Sequence, residues 1–390
     1  MKKFEKSVRL TQLPEQFFAS LAKKVTERVI EGHDVINLGQ GNPDLPTPDH
    51  IVQRLKKAAE NPVNHKYSPF RGMDYLKRAV ASFYKREYDV DINPETEVSI
   101  LLGGKAGLVE IPQCLANPGD IVLVPDPGYP DYWSGVSLAE AEMHMMPLLE
   151  ENNYLPDYSK IPEETAQKAK VMFLNYPNNP TGGVADESFF KKTIEFADKY
   201  DICIVHDFAY GSIGFDGVKP TSFLQADRAK ANGIEIYTLS KTFNMAGWRI
   251  GFAVGNASVI EGLDLLQDHL HVSLFGGIQE AAEEALIASY DAAVELKDTY
   301  EKRRNVLVEE LQAIGWDVKA PKGSFFAWFK VPEGFTSTSF SDYLLEHANV
   351  VMAPGIGFGK YGEGYVRVGM LTTEERIREA AQRIKKLNLF

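Results

Sequence analysis

The sequence predicts an α/β protein: a seven-stranded, mostly parallel sheet with one antiparallel strand, joined to a smaller α+β unit. Three observations predict it. Seven short apolar runs recur through the middle of the chain, helical patterns fill most of the gaps between them, and one gap is too short for a crossover.

The runs lie at 98–102, 121–124, 143–146, 171–174, 202–205, 234–239 and 250–254. Several are apolar at every position, as strands covered by helices on both faces are. Residues 105–115 and 188–200 carry helical patterns between them. The segment from Ser240 to Arg249 spans ten residues and contains Gly247. A parallel crossover usually needs a dozen or more, so the strand opening at Ile250 is expected to run antiparallel to its neighbours. Beyond it, residues 278–313 read as one long helical stretch rich in Glu, Ala and Lys. Strands follow at 324–329, 350–352 and 365–369, then a closing helix at 374–387. A helix over 15–31 is expected to pack with this last part, and Pro43, Pro46 and Pro48 mark the passage into the larger unit. The expected division is a large domain over 45–280 and a small one from 1–44 and 281–390.

The 390 residues carry 42 Lys and Arg against 54 Asp and Glu, a net charge of −12. That balance argues against a general affinity for nucleic acid or anionic membrane. Two cysteines, Cys114 and Cys203, exclude a disulfide scaffold and point to a reducing compartment. The first twenty residues show no apolar signal region, and no apolar run approaches the ~18 residues of a membrane helix. The expectation is a soluble cytoplasmic protein with no nucleic-acid and no membrane partner.

In an open α/β sheet, ligands bind outside the carboxyl ends of the strands. After Leu102 come Gly103, Gly104, Lys105, Ala106 and Gly107, small residues that let backbone N–H groups approach an anion; the ordinary alternative is a tight turn. After Val124 come Tyr129, Tyr132 and Trp133, which either stack on a flat ring or pack in the core. After Leu174, the run Asn175-Tyr-Pro-Asn-Asn179-Pro-Thr-Gly182 places Asn179 where it can present an amide. Asp207 follows Val205, as a helix cap or as the partner of a cationic ligand atom, with Tyr210 close behind; His206 reads as a local hydrogen-bonding residue. Lys241 follows Leu239, either paired with a buried carboxylate or free to form a Schiff base with a carbonyl. Arg249 precedes the antiparallel strand and so returns to the same edge. A ligand that suits all of these is anionic at one end, flat in the middle and carbonyl-bearing near Lys241, with a cationic ring atom for Asp207. Pyridoxal 5′-phosphate has each property, and no metal is called for.

The strings Asn37-Leu-Gly39-Gln-Gly41-Asn-Pro-Asp44, Gly103-Gly-Lys105, Pro127-Gly-Tyr129-Pro130, Asn178-Asn-Pro-Thr-Gly182, Asp207-Phe-Ala-Tyr210, Ser240-Lys-Thr-Phe-Asn-Met-Ala-Gly-Trp-Arg249 and Tyr365-Val-Arg367-Val-Gly369 resemble the class I/II aminotransferases, the fold-type-I pyridoxal-phosphate enzymes. They run in the family's order over nearly the whole chain. QFFASL, GHDVINLGQGNPD, HKYSPFRG and VPDPGYPDYWSG are similar, more narrowly, to its methionine-salvage branch. The resemblance implies that residues 45–280 bind the cofactor and that Lys241 holds it as a Schiff base and shuttles the substrate proton. Asp207 would pair with the pyridinium N–H, Tyr210 and Asn179 would hold the ring oxygen, and Tyr129 would stack on the ring. Gly104 and Lys105 (through backbone N–H groups), Thr238, Ser240 and Arg249 would hold the phosphate. Arg367 would grip the substrate carboxylate bidentately, and Gly41 would let the backbone approach it. Tyr67 would reach the phosphate of a neighbouring subunit in a homodimer. Gly355-Ile-Gly-Phe-Gly359 reads either as a loop beside the substrate or as a turn.

The implied reaction is transamination between amino and keto acids, in methionine salvage the amination of 4-methylthio-2-oxobutyrate. No second arginine is evident for a distal carboxylate, and Phe17 and Phe18 are candidates for an apolar pocket or for core packing. The rival readings are a carbon–sulfur β-lyase and an aminotransferase for aromatic or other neutral amino acids. A ligand-sensing regulator would need a DNA-binding segment, and a nicotinamide dehydrogenase a glycine fingerprint that is missing.

Overall fold

A computed structural model describes residues 2–14 and 17–390. Among these the strands are β1 (Ile36–Asn37), β2 (Val98–Leu101), β3 (Ile121–Asp126), β4 (Glu142–Pro147), β5 (Ala169–Asn175), β6 (Cys203–Asp207), β7 (Gly233–Thr238), β8 (Gly251–Gly255), β9 (Phe326–Lys330), β10 (Val350–Val351), β11 (Ala353–Pro354) and β12 (Tyr365–Gly369). All seven expected strands enter one sheet, in the order β2-β8-β7-β6-β5-β3-β4. Only β8 is reversed, pairing antiparallel with β2 and β7 while the other pairs are parallel. The short gap before Ile250 produces this reversal: ten residues turn back at the sheet edge and never cross a face.

Burial on both faces follows from period-two alternation. Val122, Val124, Val171, Phe173, Val205 and Ile236 pack on one side under Leu108, Ile111 and Leu263. Leu123, Met172, Leu174, Ile204, Tyr237 and Phe252 pack on the other, under Ile51, Phe83, Phe190 and Ile194. These helices lock the sheet, so the loops at its carboxyl edge stand on a rigid base.

The remaining strands form a three-stranded antiparallel sheet, β11-β12-β9, and the parallel pair β1-β10. They surround a second core that includes Trp316, Phe329, Leu344, Val368 and Ile377. The helix Phe17–Ile30 is tied to this part: Lys24 Nζ meets Asp342 Oδ1 at 2.6 Å, and Arg28 donates to Asn349 Oδ1 and to the Glu346 carbonyl.

Two expectations are corrected. The stretch 278–313 is not one helix but two, Gly276–Ile287 and Asp291–Ala313. Ala288 turns extended and Ser289 Oγ accepts the Asp291 N–H, a local side-chain bond that competes with helix continuation. The strand at 350–352 is likewise split into β10 and β11. The Met352 carbonyl leaves the ladder to accept the Ser341 hydroxyl, and Pro354 lacks a donor to extend pairing. The pairing of 36–37 with 350–351 was not foreseen.

Candidate active site

Strand register decides which side chains share the edge of the large sheet. Asn175 and Asp207, the last residues of β5 and β6, are Cα partners. Thr238 ends β7 and pairs with Gly251, the first residue of reversed β8, so Arg249 just before it comes back to the same edge. Leu101 also pairs with Gly251, which brings the following Gly103-Gly104 turn alongside. A cavity of about 400 Å³ opens there, between this edge and β12. Gly41, Gly104, Lys105, Tyr129, Asn179, Asp207, Tyr210, Thr238, Ser240, Lys241, Arg249 and Arg367 all line it. Of the sequence-derived site residues only Tyr67 stands apart, 85% exposed, beside a separate surface recess with Val272 and Phe275.

At the end of the cavity beside β2, Gly103 has φ +84° and precedes the helix Gly104–Leu115. A Cβ there would lie 2.3 Å from Arg249 Nη2, so the bare backbone makes room for the guanidinium. Arg249 itself has a left-handed backbone (φ +55°) and donates through Nη1 to the Ala246 carbonyl. Thr238 Oγ1 lies 2.9 Å from Ser240 Oγ and accepts the Ser240 N–H, capping the turn that carries Lys241. The Lys105 ammonium is engaged by Asp131 Oδ1 at 2.8 Å.

Lys241 Nζ donates to the Gly41 carbonyl at 3.1 Å. Burial, with help from the Arg367 and Arg249 charges, pulls its amine down to about 8, while Asp207 acts in the opposite sense. The amine is therefore available as a nucleophile or base near neutral pH, which an ordinary lysine is not. Burial pushes the Asp207 carboxyl up, opposed first by the Tyr132 hydroxyl. That hydroxyl donates to Oδ2 at 2.7 Å, and Ala209 N donates to Oδ1 at 3.2 Å. Tyr132 is fully buried and stacks on Phe173, with ring centroids 4.7 Å apart. His206 faces Glu235 at 2.7 Å.

At the opposite end, buried Arg367 on β12 donates through Nη1 to Asn179 Oδ1 (2.9 Å) and through Nη2 to the Gly39 carbonyl (3.0 Å). Its Nε is buried without a partner among the described residues. The guanidinium lies 3.9 Å from the Phe326 ring centroid, 4.6 Å from Phe358 and 5.6 Å from Phe18. A Cβ on Gly41 would fall 3.3 Å from Phe326 Cζ and 3.6 Å from Arg367 Nη2, so a larger residue would crowd this pocket. The Gly355–Phe358 segment forms a 3₁₀ turn that delivers Phe358 to the cavity wall. Phe18 lines the cavity with Leu21, Ala22 and Val25 of its helix; the Phe17 side chain lies outside the described ones. No described group of three or more His, Cys, Asp or Glu side chains is placed to hold a metal ion.

A lysine amine lowered by burial, a buried carboxyl group, a glycine turn beside one arginine and a second arginine with an unfilled Nε among the described residues share one cavity, an arrangement suited to chemistry at the α-carbon of an amino acid. The model of the family "Aminotransferase class I and II" matches residues 33–384. The chain belongs to the class I and II aminotransferases. This aminotransferase is 66% identical over 388 residues to the L-glutamine–4-(methylsulfanyl)-2-oxobutanoate aminotransferase of Bacillus subtilis, covering 100% of this chain and 98% of the relative. It is 46% identical to the LL-diaminopimelate aminotransferase of Halothermothrix orenii, over 99% of both chains. The solved structure of apo-BacF from B. subtilis superposes with a TM-score of 0.96 at 52% identity, covering 100% of this chain and 99% of that one. Enzymes of this family depend on pyridoxal 5′-phosphate and act on amino and keto acids. No described helix of the aminotransferase is long and apolar enough to cross a membrane.

Sequence reasoning missed the roles of Tyr132, Asn175, Phe326 and the Leu21–Val25 face. The hydroxyl on Asp207 gives a direct test. Tyr132→Phe leaves a buried carboxylate oxygen short of a donor and is expected to cost about 1–3 kcal/mol of stability. Asp207 has a folded-state value above its unfolded one, so the folded chain holds more protons across that window and its stability falls as pH rises through it. The variant lifts the folded value further. Its deficit against the native chain in urea unfolding is therefore expected to widen from pH 4 upward; a deficit that narrows instead would contradict the charged hydrogen bond.

Proposed function

We propose that this chain is a cytoplasmic, homodimeric, pyridoxal-phosphate-dependent aminotransferase that converts 4-methylthio-2-oxobutanoate to methionine, with glutamine or another amino acid as donor. The observation that carries the reading is the make-up of the cavity wall around Arg367. One guanidinium with an unpartnered Nε is ringed by Phe18, Phe326 and Phe358, and Leu21, Ala22 and Val25 continue the apolar surface. Among the described residues the other cations in the cavity are Lys105, held by Asp131, Arg249 beside Gly103, and Lys241. That leaves one carboxylate grip and an apolar remainder, which suits a methylthio side chain.

The donor set fits the cofactor. The Thr238 and Ser240 hydroxyls, the Gly104 and Lys105 backbone N–H groups and the Arg249 guanidinium would hold its phosphate, with Tyr67 of a second copy completing the cradle. The exposure of Tyr67 on the single chain accords with that role. Tyr129 would cover the ring face, Asn179 and Tyr210 would bind the ring oxygen, and Asp207 would keep the ring nitrogen protonated. When bound, the cofactor supplies an aldehyde for an amine and an electron sink for a carbanion. Lys241 Nζ, unprotonated above about pH 8, is the atom that takes and returns the substrate's α-proton. Arg367 orients the α-carboxylate through a planar fork that a lysine cannot reproduce.

A half-reaction panel tests the substrate. Amino acids are mixed with holoenzyme and the loss of its visible band is followed. Methionine is expected to react much faster than aspartate; a strong preference for aspartate would overturn the methylthio reading. Release of pyruvate and ammonia from cystathionine would replace transamination by β-elimination. Sedimentation should show a dimer, and a fully active monomer would remove Tyr67 from the site.

A further inference from the structure

Asn175 does not line the cavity and lies four positions before Asn179, which does, yet its amide sits between two of the groups that matter most. It is 2% exposed and ends β5 opposite Asp207. Nδ2 donates to the main-chain carbonyl of Asp207 at 2.8 Å. Oδ1 accepts the main-chain N–H of Asn179 at 2.7 Å. The amide orientation is dictated by chemistry, because a carbonyl must be met by the NH₂ end and an N–H by the oxygen. Asn179 in turn receives Arg367 through its own Oδ1. Asn178 closes the loop, giving Nδ2 to the Asn175 carbonyl and accepting both the N–H and the hydroxyl of Thr181.

We infer that Asn175 is a positioning residue that couples the two ends of the active site, fixing Asp207 on one side and the Asn179–Arg367 pair on the other through a single buried amide. The inference rests on the proposed cofactor chemistry and deepens it. Residue 175 does not line the cavity, but both hydrogen bonds of its side-chain amide end on the backbone of residues that do. Both partners are buried, so neither bond is replaced by water when the amide is removed.

The test uses Asn175→Ala and Asn175→Asp beside the native holoenzyme. Cofactor dissociation constants are measured by absorbance titration of the stripped protein from pH 5.5 to 8.5, with KM and kcat at saturating cofactor. Asn175→Ala removes both bonds and is expected to weaken cofactor binding roughly tenfold or more, raise the amino-acid KM, and move the pH midpoint of the holoenzyme's visible absorbance change. Asn175→Asp keeps the shape and, while its buried acid is protonated, also keeps a donor for the Asp207 carbonyl and an acceptor for the Asn179 N–H. Its cofactor affinity relative to native is expected to be restored at low pH and lost as pH rises. A role in stability alone would lower the melting temperature without moving the affinity, the absorbance midpoint or KM, and that result overturns the inference. Should the alanine variant fail to fold, an aspartate variant with native affinity across the whole pH range overturns it equally. Native protein that never takes up the cofactor defeats the functional reading itself, a distinct result from native uptake with unaffected variants.

Discussion

Lys241→Ala is expected to give a folded chain that stays colourless with added pyridoxal 5′-phosphate and loses transamination by roughly 10⁴-fold or more. The side chain is the amine that would meet the cofactor's aldehyde and also the base for the α-proton, so one truncation removes both. Its tether explains why folding should survive: among the described residues Nζ donates to the Gly41 carbonyl and lies 5.4 Å from the Phe325 ring centroid. The stripped protein offers a second reading of the same residue. Lys241 drops from 10.5 to about 8 on folding, so between those values the unfolded chain binds more protons. Stability therefore rises with pH across that window, and below about 8 the whole cost of burying the charge is present. Lys241→Met is expected to be more stable than the native apoprotein at pH 7, with the advantage shrinking toward pH 10.5. Equal stability at both pH values, or native activity in Lys241→Ala, would refute the assignment.

The arrangement that makes this lysine special was readable from the sequence because it is a property of strand ends. Each edge residue follows a short apolar run, and the register of a parallel sheet then brings the ends of neighbouring strands together. Arg249 was readable for a different reason. The ten-residue return before β8 could only reverse the chain, so the arginine had to come back to the edge it left. The break at Ser289 was not readable, because one side-chain bond to Asp291 N–H interrupts a composition that is helical on both sides.

What the sequence left hidden in the site depends on contacts between distant segments. Tyr132 lies 75 positions from Asp207, and in sequence it is one aromatic in a run of several. Asn175 reads as a turn residue until the backbone of Asn179 folds back onto it. Phe326 and Phe358 come from separate segments and meet only over Arg367. The same holds for the helix bearing Phe18 and Leu21, whose apolar face is equally suited to a core until the cavity appears beneath it.

Arg367→Lys is expected to lower kcat/KM by roughly 10²–10³, chiefly through KM, while leaving cofactor binding near native. Three phenyl rings surround the guanidinium, so a carboxylate arriving there gives up water and must be repaid by direct hydrogen bonds. Nη1 and Nη2 are already shared with Asn179 and Gly39, and the orphaned Nε marks capacity not met among the described residues. Burial lowers Arg367 to about 10, which still leaves it charged at neutral pH. A lysine would carry the charge but could not span Asn179, Gly39 and two carboxylate oxygens at once, and its compact ammonium would be more costly to desolvate among the rings. Asp207 and Lys241, which would face the cofactor, are untouched, so the visible absorbance should survive while amino-acid saturation is lost. An unchanged KM would mean that the substrate carboxylate binds elsewhere, and the apolar wall built around this arginine would then have no bearing on side-chain choice.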